Sequence, residues 1–246
     1  MKTLLRRAVL LLVLCLSACQ SYSKKSTSVN VEVVFQEEVY SFTEKQKNFI
    51  FEVIVTAEKD VRKLLPTLPD SITVAVEKVD WDLDAVGGVT GRAESNTPPV
   101  VMVQLSNAYR EGNINAVYSG LRATLFHEFH HLSRGWAIQD NVFSPGIPNA
   151  MVNEGLAVVF AEIYTKTVYE ANAYPEEADS WVQEILDLPL NASYADWVMG
   201  EHPDGRTYIG YRTGNFLIRK AMTTSGKTIL ELSALKPEEI MKIAGY

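Results

Sequence analysis

The chain has 246 residues, 47% hydrophobic and 22% charged, which is enough apolar material for a buried core and excludes a charge-dominated disordered polymer. A formal net charge of -7 argues against nucleic acid, and against anionic membrane patches, as the main partner. Its two cysteines, Cys15 and Cys19, both stand near the N-terminus, so no disulfide is expected beyond them, and any metal site there must use His, Asp or Glu.

In chain order, Lys2, Arg6 and Arg7 form a basic n-region. Residues 8–14 form an apolar h-region too short to span a bilayer as a helix. The segment ends in Leu16-Ser17-Ala18-Cys19, which resembles the lipobox of bacterial lipoproteins. That resemblance implies removal of residues 1–18 as a signal peptide and lipidation of Cys19, with several acyl chains anchoring the protein to a lipid bilayer. The alternative is cleavage of an ordinary secretory signal nearby. Gln20 implies, by the same resemblance, outer-membrane sorting in a Gram-negative cell envelope. Losing three basic residues takes the formal charge from -7 to -10.

Residues 19–28 read as a flexible Ser/Lys-rich tether. The remainder, 29–246, reads as one catalytic unit with an N-lobe of about 29–135 and a C-lobe of about 136–246. Residues 29–35 alternate as a strand. Phe49, Val53, Ala57, Val61 and Leu64 make 43–65 an amphipathic helix, stopped by Pro66. Strands follow at 72–79 and 100–105, and the glycines of 87–92 predict a hairpin or edge-strand turn. A helix is expected at 114–134, a loop at 135–148, and a second long helix at 150–168. Further helices are expected at 176–186, 206–222 and 237–243, giving an α+β protein: an N-terminal mixed sheet with helices, then a mostly helical lobe.

The helix at 114–134 carries three of the four histidines, in His127-Glu128-Phe129-His130-His131. Positions i and i+4 share a helix face, so His127 and His131 can point at one metal ion, with Glu128 beside a water held on it. Gly120, Ala123 and Thr124 on that side would leave room for metal and substrate, while His130 points elsewhere. A third histidine in the H-E-x-x-H-x-x-G-x-x-H pattern is excluded, because Arg134 and Ala137 occupy its Gly and His positions. The best third ligand is Glu154, with small or apolar helical neighbours at Ala157, Val158 and Ala161. The competing reading makes Glu154 a first-turn carboxylate with Asn153 as helix cap, and Glu162 the fallback ligand.

Two histidines followed by a glutamate on a later helix resemble the gluzincin metallopeptidases. More closely, His127–His131, Glu154-Gly155-Leu156-Ala157 and Gly210-Tyr211 resemble a family of bacterial zinc-dependent proteases sharing these motifs. The resemblance covers roughly residues 118–222. It implies a zincin-like fold, one Zn2+ on His127, His131 and Glu154, Glu128 as catalytic base, and a peptide or protein substrate. It also implies that an edge strand before the active helix, here 100–105, pairs with an extended peptide. Candidates for the oxyanion donor are Tyr211, Tyr208 and His202, with Tyr211 first because it belongs to the Gly210-Tyr211 motif. Thermolysin-type gluzincins place an Asp four residues after the ligand Glu; Val158 stands here, so the ligands' supporting partners are unassigned.

Two rival functions are weighed. Residues 221–228 match a relaxed Walker A pattern but follow a helix rather than a strand and lack its glycines, so a helix C-terminal turn at Gly226 explains them better. A non-catalytic zinc-binding or adhesive lipoprotein would keep the ligands but has no use for Glu128.

Overall fold

The computed structural model describes residues 22–25 and 31–246; the signal segment and Cys19 lie outside the described residues. The class is α+β, with a mixed sheet and a mostly helical second half. Strands β1 (Tyr22–Lys25), β2 (Val31–Phe35), β3 (Ile72–Val79), β4 (Val89–Asn96) and β5 (Pro99–Ser106) form one sheet in the order β1-β2-β3-β5-β4. The inner pairs β2–β3 and β3–β5 are parallel, and the outer pairs β1–β2 and β4–β5 are antiparallel. β1 falls inside the segment read as tether.

The edge strand differs from expectation. Residues 100–105 lie inside the sheet, paired with β3 on one side and β4 on the other. Val101, Val103 and Leu105 share one face and are at most 1% exposed, while the backbone on both edges of the strand is used by its neighbours. β4, with Gly91, Arg92, Glu94 and Asn96, has the polar and glycine content an edge tolerates, and it is the strand at the rim.

Helix α1 (Glu44–Leu64) starts on a Thr43/Gln46 capping box and buries Ile50, Ile54, Ala57 and Val61 in the common core, packing on β2. The predicted helix at 114–134 is one helical run in three parts: α2 (Asn113–Ala116), a π turn at Val117–Leu121, and α3 (Arg122–Arg134). It ends at Gly135, whose φ of 77° closes the last turn in the left-handed region.

Helix α4 (Ile147–Thr165) begins earlier than predicted, within the expected loop, because Pro148 is tolerated in a first turn. The second half adds α5 (Ala178–Leu186), a π turn (Ala195–Met199), α6 (Ile209–Ser225), α7 (Ile229–Ser233) and α8 (Pro237–Ala244). α7 escaped the sequence reading; it is five residues long, held by a Thr228/Glu231 capping box. Gly226 ends α6 in the left-handed region, its N–H bonded to the Met222 carbonyl, as a helix C-terminal turn should be.

What positions the site is the crossing of α4 and α6. A Cβ on Gly155 would lie 2.3 Å from the Gly214 backbone, and one on Gly214 would lie 2.3 Å from the Met151 carbonyl. Two glycines therefore let the helix backbones touch. Glu154 and Tyr211 sit beside that contact, one residue and one helical turn away from it. Among the described residues, no helix is long and apolar enough to cross a membrane.

Candidate metal centre

His127 and His131 face the same way from α3, one helical turn apart, and Glu154 meets them from α4. His131 Nε2 lies 2.9 Å from His127 Nε2, and Glu154 Oε2 lies 3.1 Å from each. These side chains form a group able to hold a metal ion. A tetrahedral zinc ion sets nitrogen and oxygen ligands about 3.3 Å apart, so the donor triangle fits with little adjustment. It fits chemically as well. Three acceptor-type atoms facing one point have few hydrogens to share, and a cation satisfies all three.

The Glu154 side chain is 5% exposed, deep in α4 rather than in its first turn. Asn153 is no cap: its side chain donates to Asn149 O and accepts from Arg134 Nε. Burial works to raise the Glu154 carboxyl, but the two histidines outweigh it and hold the carboxyl well below its usual range. Its second oxygen is fixed by neighbours that the sequence did not announce. Trp136 Nε1–H donates to Oε1 at 3.1 Å and the Tyr194 hydroxyl donates to it at 3.2 Å. Oε2 is thereby left to face the histidines, and the support missing at Val158 comes from a loop and a tyrosine instead. Tyr194, 40 residues beyond Glu154, belongs to no motif in the sequence. Trp136 gave no signal there, since an indole reaching back from a loop has no spacing to read.

Glu128 is 4% exposed and lies against the edge strand. A Cβ on Gly91 would come within 2.8 Å of Glu128 Cγ, so the glycine makes room for the carboxylate. Burial pushes its carboxyl up to about 7; Glu154 adds to this, while His127, the Ala93 N–H and Arg92 oppose it. Glu128 Oε2 is buried with no hydrogen-bond partner among the described residues, which leaves it free to accept from a group entering the cavity.

A cavity of about 800 Å³ joins these groups, lined by both histidines, Glu128, Glu154, Tyr194, Tyr208 and Tyr211. The Tyr211 ring stands 6.0 Å from that of His127. Burial first, then the nearby carboxylates and Tyr194, raise its phenol well above the ordinary value, so it keeps its proton and can donate. Tyr208 lines the cavity with a φ of 53° at the start of α6. His202 is elsewhere: it does not line the cavity, its Nδ1 sits 2.9 Å from Asp204 and its ring packs on Trp197. That removes it as an oxyanion donor.

The fallback ligand Glu162 also lines the cavity but is not in the donor group; it is ion-paired with Arg219 of α6. Of the small residues expected to open space, Ala123 and Thr124 do line the cavity. Gly120 does not, because it packs against Gly87 and Val89. His130 is fully buried, with Nε2 2.8 Å from Ser233 Oγ and its ring on Phe160, and burial holds it well below its usual pKa. Arg134, at the position where a third-histidine motif needs Gly, instead ties α3 to Asn153 of α4 and to the carbonyls of Ser233 and Leu235.

No curated protein matches the sequence. An aminopeptidase N family protein from Idiomarina loihiensis has a related structure, with TM-score 0.47 and 10% identity over 90% of this chain; the chain spans 40% of that protein's length. A family model matches residues 88–242, the stretch running from the edge strand through the donor group to α8. By that match the chain belongs to the family described as "Predicted Zn-dependent protease (DUF2268)".

Proposed function

We propose that the protein is a zinc peptidase in which His127, His131 and Glu154 hold a single Zn2+ and Glu128 is the general base. The observation that carries this reading is the meeting of three donor atoms within 4.8 Å of one another, beside a buried carboxylate whose Oε2 has no partner among the described residues. A zinc ion held there supplies Lewis-acid chemistry, lowering the pKa of a water and polarising a carbonyl. Glu128 takes the proton of the attacking water and passes it toward the leaving amine. Tyr211, kept protonated, donates to the oxygen that gains charge as the carbonyl carbon becomes tetrahedral. Trp136 and Tyr194 keep Glu154 from turning its other oxygen inward.

We place this domain on the bilayer through acylated Cys19, in a bacterial cell envelope and on the outer membrane of a Gram-negative cell. Support for that is the basic and apolar N-terminal pattern ending in Leu16-Ser17-Ala18-Cys19-Gln20. Globomycin treatment of cells expressing the full chain should accumulate the uncleaved form, and processing that is unaffected by it would remove the anchor.

The reading is tested by comparing wild type with Glu128→Gln. Both should bind zinc equally, and peptide hydrolysis should fall about 10²–10⁴-fold in the variant. Undiminished hydrolysis would remove Glu128 as base. Zinc binding without cleavage of a broad peptide library by either protein would favour the non-catalytic reading.

A further inference from the structure

The edge strand of a peptidase cleft is free to pair with a substrate only where its outward backbone groups are unused. Gly88 O accepts from Ser106 N, so the alternation of an antiparallel pair turns Thr90 and Arg92 toward β5. Val89, Gly91 and Ala93 then turn their N–H and C=O groups toward the cleft, but Val89 is 1% exposed and its carbonyl accepts from Thr124 Oγ1 at 3.5 Å. At Ala93 both are taken. Its N–H serves the Glu128 carboxylate, and its carbonyl accepts from Ile138 N at 3.0 Å.

The next step along the strand is closed too, because Gln139 N donates to Glu94 O at 2.9 Å. The segment after α3 thus forms a strap across the end of β4. Asn96 Nδ2 secures it by donating to Gly135 O at 3.0 Å and Asp140 O at 2.9 Å. The opposite end is blocked by Tyr169, whose ring abuts Gly87 and whose hydroxyl donates to Gly120 O at 3.3 Å.

Between strap and tyrosine the open edge runs from Thr90 to Arg92, about 10 Å at roughly 3.4 Å per residue. Glu128 touches this edge at Gly91, next to the strap. A bond being cut beside Glu128 therefore has only about a residue of strand-pairing room on either side.

We infer that the cleft takes short peptides, or the ends of longer ones, and cuts within a residue or two of a terminus. This rests on the zinc-peptidase reading, but the groove can be tested separately from the chemistry. The probes are an apolar tetrapeptide with free ends and a peptide of roughly twenty residues carrying the same four at its centre between proline-rich flanks, so that its ends cannot pair with a strand. Affinity of each is measured by calorimetry for zinc-loaded Glu128→Gln, and central-bond cleavage by mass spectrometry for wild type. The tetrapeptide should bind, and be cut, at least about tenfold better. In Asn96→Ala, which loosens the strap, that gap should narrow to about threefold or less. Equal binding of both probes, or central cleavage of the long one at the rate of the short one, would overturn the inference. Length-selective binding with no cleavage of either would uphold the groove and sink the peptidase reading.

Discussion

The two helices that bring donors to the candidate metal centre work by different means. α3 supplies His127, His131 and Glu128 from within five residues, so helical periodicity alone aims them. α4 supplies one carboxylate, and its direction is set from outside. Trp136 and Tyr194 hold one oxygen, while the Gly155–Gly214 contact with α6 fixes the helix itself and brings up Tyr211. A ligand pair on one helix turn is self-aligning; a lone ligand from a second helix is only as well placed as its supports.

This contrast is broken most severely by removing the lone ligand. Glu154→Gln should lower zinc affinity more than about 100-fold, beyond the range expected for losing a support, by competition against a chromophoric chelator. Next come the supports. Trp136→Phe and Tyr194→Phe should each cost about 10–100-fold in zinc affinity while leaving the protein folded. Affinities within twofold of wild type would mean that Glu154 aims itself. Third, Gly214→Ala forces a methyl against the α4 backbone and should cost about 1–3 kcal/mol, read as a lower thermal midpoint. The smallest effect is expected at Glu162→Gln, which loses the pair with Arg219 but should keep zinc affinity within about twofold. A large loss there would return Glu162 to the ligand set.

The same contrast explains what could be read in the sequence. The class, most elements and the α3 half of the site follow from periodicity, caps and one pentapeptide, because each is local. Glu154 was reachable through its small and apolar neighbours, although the helix start was misplaced by reading Pro148 as loop. The supports were not legible: Trp136, Tyr194 and Gly214 touch Glu154 or its helix across separations that no spacing encodes. The edge strand was misassigned for a related reason. An apolar run such as 100–105 shows that a strand is buried but not which neighbour lies outside it. The glycines of 87–92 marked the rim, but as a turn rather than as the strand Glu128 leans on.

X-ray absorption of the zinc-loaded protein, with zinc counted against protein, tests the central claim most directly. The account predicts one zinc per chain with two imidazole nitrogens and a carboxylate oxygen, and loss of one imidazole in His131→Ala. A coordination shell unchanged in His131→Ala and in Glu154→Gln, or one without imidazole, would contradict it.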